Sequence, residues 1–374
     1  MLRSLFGAGA LLLAFLTLLD STGRGQPAST IDRVYYRDKK DGQIKEVDAE
    51  LKVAPGGYQV VTADKKVAAL VSATDIIRVI PADIPGFDLK TIREPATIEG
   101  KREWEKARVI HSEMAKKSAG ASEKVRKYLE FRVAYTSARA ADDATDDAAA
   151  QAKGADAVKL LDNFLTANKT GWEVWAAGST CARMQVSEVT VTADKEGEKS
   201  TERRHFEEAS RSWGKVAKAT DLAADLKMDA ALQEIDTKIR ARLFADAKGL
   251  IDEAMKTAPA GAPKDRLAIF NLAVKFGDNP NPEDGVKAIE AELAKTKDPL
   301  VRATGFGMMG ELYLGKDKPR DAMWQFLWVE AVYSQDRDEV IKTLARLSDA
   351  FKAQGDDDRA KAYREKLRRY RSTL

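Results

Sequence analysis

The stretch from Gly305 to Ser334, GFGMMGELYLGKDKPRDAMWQFLWVEAVYS, contains a pattern that the chain uses three times. In each use a large aliphatic residue is followed at once by a small one and then, three residues on, by an aromatic: Leu272, Ala273 and Phe276; Met309, Gly310 and Tyr313; Leu347, Ser348 and Phe351. The copies stand roughly 37 to 38 residues apart, a period that predicts helical hairpins stacked side by side. A small residue lets a second helix approach closely, while the aliphatic and the aromatic, four apart, share the face that packs against it.

In the central copy Phe306, Met309, Gly310, Tyr313, Ala322 and Phe326 fall at the spacings where tetratricopeptide repeats carry W, L, G, Y, A and F, so this hairpin resembles that family. The last copy keeps Leu344, Leu347, Ser348, Phe351 and Ala360 but has Arg364 at the aromatic position, and its second helix is expected to be a solvated terminal one. The resemblance implies a solenoid that binds a protein or peptide partner in a concave groove lined by the polar faces of the first helices. Carried onto this chain, those positions are Thr304, Glu311, Lys342, Arg346, Asp349 and Lys352. The last four lie three and four apart, so they equally fit an ordinary solvated face joined by helix charge pairs.

Outward from this stretch, toward the N-terminus, the helical periodicity continues. KMDAALQEIDTKIRARLF and ADAKGLIDEAMKTAP form one pair, with Ala247, Ala254 and Pro259 at the small, small and proline spacing of the family. WEVWAAGSTCARMQV and HFEEASRSWGKVAKAT form another, separated by a polar stretch whose VTVT reads as a brief strand or a mobile loop. SEKVRKYLEFRVAYTSARA and AVKLLDNFLTAN form a third; the alanine-rich acidic run between them either extends the first helix or loops out. KREWEKARVIHSEMAKK places His111 on the same helical face as Trp104, Ala107 and Met114, as a half-buried helix residue. The helical solenoid is thus expected over 101–374. The irregular PADIPGFDLKTIREP, with three prolines, places a linker at 82–100.

Residues 26–81 have another period. Short runs rich in Val, Ile and Tyr, bounded by Asp41-Gly42 and Gly56-Gly57, predict five strands in a small all-β domain, a partly closed SH3-like or Sm-like barrel. Tyr35 and Tyr36 point to opposite faces, so at most one joins the core and the other is exposed. Lysines and arginines are offset by acids throughout this segment, which denies it the single-sign patch that RNA binding needs.

The chain opens with Arg3 and an apolar run from Leu5 to Leu19, shorter than the ~20 residues of a spanning helix. Residues 1–25 therefore read as a secretory signal peptide cleaved before Gln26, which makes the protein exported, periplasmic or in the cell envelope, with no membrane span after cleavage. The alternative is an uncleaved segment that anchors the chain in the membrane.

Charged residues make up 32%, hydrophobic ones 44%, and the net charge is +3, the profile of a protein with long solvated helices and no nucleic-acid partner. Cys181 is the only cysteine, so no intramolecular disulfide forms, and with only His111 and His205 beside it the usual zinc ligand sets cannot be assembled. No nucleophile elbow, phosphate loop, dinucleotide fingerprint or HExxH occurs. The expectation is a non-enzymatic scaffold with no catalytic residues, no metal and no cofactor. The alternative is an envelope enzyme or accessory subunit with a cleft between the β domain and the solenoid.

Overall fold

The computed structural model describes residues 31–118, 120–144, 147–187 and 199–373. The expected signal peptide and the VTVT stretch lie outside the described residues. Among the described residues no helix is long and apolar enough to cross a membrane.

Five strands form first: β1 Arg33–Arg37, β2 Ile44–Ala54, β3 Gly57–Thr62, β4 Val67–Val71 and β5 Ile76–Ile80. All pairings are antiparallel and the order is β4-β3-β2-β1-β5. Gly42 and Gly56 take the positive φ values, 68° and 83°, that the two tight turns require. The long β2 pairs with β1 through residues 44–48 and with β3 through 49–54. The sheet is open, with β4 and β5 as its edges, where a partly closed barrel was expected. It has no need to curl over itself, because its apolar face, built on Val34, Tyr36, Tyr58, Val60 and Val71, shares one core with helical residues such as Phe131, Ala177 and Trp213. Tyr36 enters that core, whereas Tyr35 is half-buried against a second cluster rather than exposed.

Fourteen helices follow among the described residues: α1 Leu89–Gly100, α2 Trp104–Lys117, α3 Glu123–Asp142, α4 Asp147–Ala167, α5 Glu173–Ser187, α6 Lys199–Ala217, α7 Ala224–Arg240, α8 Phe244–Thr257, α9 Ala262–Phe276, α10 Pro282–Leu293, α11 Pro299–Leu314, α12 Pro319–Ala331, α13 Arg337–Ala353 and α14 Asp357–Ser372. Prolines open α10, α11 and α12, where the missing N–H costs nothing. The acidic run after α3 is largely absorbed into the end of α3 and the start of α4. The stretch read as a linker, 82–100, carries α1. Its N-terminus is capped by the Asp88 carboxylate, which accepts from the Thr91 N–H, and the helix runs on through Pro95. Periodicity there is hidden by the prolines, yet Ile92, Pro95 and Glu99 share the buried side.

Successive helices pack as hairpins, and α7, α9, α11 and α13 lie side by side as an inner layer. The array then closes: α13 packs on α5, and α14 on α3 and α5. α14 is solvated along much of its length, as expected, but its last carbonyls, those of Arg371 and Ser372, are held by the Arg139 guanidinium, and Arg371 is 2.6 Å from Asp142. Arg364 stays partly exposed, but Leu367 three residues later is buried in the large core.

The close-approach positions behave as their size requires. Met309, Gly310, Ala322 and Phe326 are all buried, and a side chain on Gly310 would overlap the Phe326 ring. In the last hairpin Ser348 takes the same role and donates to the Ala360 carbonyl at 2.9 Å. Gly310→Ala is therefore expected to lower stability by about 1–3 kcal/mol through overpacking. Combined with Phe326→Leu, it should cost less than the sum of the two single changes in urea unfolding; strict additivity would place the strain elsewhere.

Candidate functional site

Closure of the inner layer buries charge. Arg240, at the end of α7, is wholly inaccessible, and its three nitrogens meet three carboxylates: Nε lies 2.9 Å from Asp236, Nη1 2.9 Å from Glu311 on α11, and Nη2 2.5 Å from Glu339 on α13. Lys342 of α13 pairs with Asp236, lies 3.1 Å from Glu339 and donates to Gln233 at 2.9 Å. Arg346 grips both oxygens of Glu311, at 2.8 and 2.9 Å, and its guanidinium lies over the Phe206 ring. Burial pushes the Glu339 carboxyl up to about 7 and the Lys342 ammonium down to about 7. The two groups thus approach the same proton affinity from opposite sides.

Beside this cluster a cleft of about 260 Å³ opens where α7, α9, α11 and α13 end. Arg240, Glu311, Arg346 and Asp349 form its polar wall, and Met308, Leu312 and Phe244 are among its apolar residues. Arg242 also lines it, donating to the Gly277 carbonyl at 2.9 Å and lying over Phe244.

Four of the six positions carried over from the repeat family meet here: Glu311, Lys342, Arg346 and Asp349, the last 3.7 Å from Arg346. They are not a solvated face: Glu311, Arg346 and Asp349 line the cleft, and Lys342 is buried in the charge cluster beside it. Lys342 and Arg346 are 2% and 5% exposed, because the return of α13 onto α5 turns the inner face into an interior. Thr304 is buried too, but its hydroxyl accepts from Arg266, which belongs to a neighbouring group with Asp229 and Asp336. Lys352 is exposed and stands apart. Asp236 and Arg240, on α7, escape a reading confined to the last two hairpins, and Glu339 was missed on α13 itself. Their signal is charge beside an apolar stripe, as in Asp236 and Arg240, which directly follow Ile235 and Ile239.

The other residues weighed for chemistry are structural. Cys181 is buried, with the Ser212 hydroxyl 3.5 Å from its sulfur. His111 is more deeply buried than its helical face implied, bonded to Glu99. Among the described residues no group of three or more His, Cys, Asp and Glu side chains is placed to hold a metal ion.

A second surface was not foreseen. On α12, Trp324 and Trp328 are 57% and 50% exposed, one turn apart, and Val332 continues the row. Trp328 stacks on Phe306, which stacks in turn on Tyr333 at 5.3 Å. The sequence signal was available in MWQFLWV: a helix whose inner face already takes Ala322, Phe326 and Val329 should have a polar outer one.

Fold and site together define a mainly helical protein of paired helices, preceded by a small antiparallel sheet. No protein-family model matches the chain, and no curated protein is similar to it.

Because Glu311 is the carboxylate shared by Arg240 and Arg346, Glu311→Gln should lower stability by about 3–5 kcal/mol, leaving two buried guanidiniums short of charge. Lys352→Glu, on exposed surface, should stay within about 0.5 kcal/mol of the parent. Chemical denaturation of the two variants side by side measures the contrast; equal effects would deny the cluster its structural role.

Proposed function

We propose that this protein is an exported, non-enzymatic scaffold of the tetratricopeptide-like class, and that it binds a protein or peptide partner through the outer face of α12 rather than through an inner groove. The observation that carries this reading is the pair of half-exposed tryptophans, Trp324 and Trp328. Large aromatics left in water are costly to solubility and are the residue type on which binding energy concentrates once a partner covers them. The stacking of Phe306 and Tyr333 behind Trp328 presents it in a fixed orientation, so little side-chain freedom is lost on binding.

The buried state of Lys342 and Arg346 argues against the groove as the contact surface, since both are committed to carboxylates of their own chain. The small β domain is an open antiparallel sheet whose apolar face covers helical residues such as Phe131 of α3 and Ala177 of α5. Export rests on the N-terminal sequence alone.

The test is affinity capture from an envelope extract with the full chain and with a Trp324→Ser, Trp328→Ser double variant. The variant should retain its thermal midpoint and helical circular dichroism, since both side chains are outside the core, and should lose a partner that the parent retains, by at least about tenfold in affinity. An unchanged set of partners would remove α12 as the binding surface.

A further inference from the structure

A single carboxylate holds the junction between the sheet and the first helices. Glu99, near the end of α1, is almost inaccessible and receives Arg78 of β5 at 2.5 Å, Arg132 of α3, and Nε2 of His111 from α2 at 3.0 Å. His111 is 1% exposed. The groups facing it are Glu99 from α1, Tyr128 and Arg132 from α3, and Arg78 from β5; Tyr35 of β1 lies beyond, against the Arg78 guanidinium. With a neutral imidazole donating from Nε2, the cluster holds two guanidiniums against one carboxylate. A proton on Nδ1, which has no hydrogen-bond partner, raises the excess to two positive charges in the same dry volume.

We propose that Glu99 and His111 form an acid-released clamp: protonation of His111 loosens the α1–α2 hairpin from β5 and α3 while the rest of the helical array stays folded. Release is local because the hairpin is held mainly by its own small cluster, Ile80, Ile84, Ile92, Met114, Val125, Tyr128 and Leu129, separate from the large core that joins the sheet to α3–α6. The direction follows from linkage. Burial lowers the proton affinity of folded His111 below its ordinary 6.5, against the opposing pull of Glu99, so the closed hairpin binds the proton more weakly than the open one. The clamp is intact above 6.5 and is lost as pH falls toward the lowered folded value. Across that window opening takes up one proton and grows about tenfold per pH unit. Glu99 works in the same direction at lower pH. Burial opposes its ionisation, but Arg132, the bond from His111 and Arg78 outweigh burial and hold it well below the usual carboxylate range.

The experiment is hydrogen–deuterium exchange on the full chain between about pH 7.5 and about pH 5, corrected for intrinsic exchange rates. Protection in 89–117 should fall by about tenfold per unit below 6.5, with α8, α9, α10 and α12 unchanged, and His111→Gln, whose amide still donates to Glu99, should abolish the pH dependence. Persistence of the dependence in that variant, or a fall shared equally by all helices, overturns the proposal. Should the variant not fold, the His111 ring resonance of the parent decides: it must titrate over the interval in which protection is lost, and a histidine that stays neutral throughout overturns the clamp.

Discussion

A guanidinium with no access to water must find charge on every side, and Arg240 finds it on three helices at once. That requirement fixes the register of the inner layer more sharply than apolar packing does, since sliding α11 or α13 by one turn would leave an ion stranded at a cost of several kcal/mol. The network adds little net stability over an apolar replacement. Its effect is to make one arrangement of α7, α11 and α13 far better than its neighbours, in a stack of similar hairpins where many near-equivalent packings compete.

The same closure explains why so little of the inner face reaches solvent. Repeat hairpins normally leave one surface concave and open. In this chain the inner surface is consumed by α13 packing on α5 and by Arg183 of α5 gripping Asp338 with two hydrogen bonds. Aromatic surface lies instead along the side of α12 that carries Trp324 and Trp328.

Much of this was legible in the residues. The small residues at Ala273, Gly310 and Ser348 marked the hairpins because close approach depends only on local size, and the strands of the β domain followed from alternation and glycine turns. Helix α1 was hidden by Pro81, Pro85 and Pro95, since a proline inside a helix is read as a break when its neighbours are not seen to compensate. The burial of Lys342 and Arg346 was illegible for a different reason. A charged residue three or four positions from another looks identical on a solvated face and on a closed one, and only the contact of α13 with α5, more than 150 positions away in the chain, tells them apart.

That return contact also governs how the chain is assembled. Arg139 bonds to the carbonyl of Arg371 across a separation of 232 residues, so the surfaces of α3 and α5 that receive the last hairpin stay uncovered until α14 has formed. Local hairpins form quickly, whereas a contact of this span waits on the whole chain and sets the slow step. Until the last hairpin docks, the surfaces of α3 and α5 that receive it are open to the wrong neighbour. Weakening the grip of Arg139 on the carbonyls of Arg371 and Ser372 would prolong that exposure while leaving the other hairpins as they are.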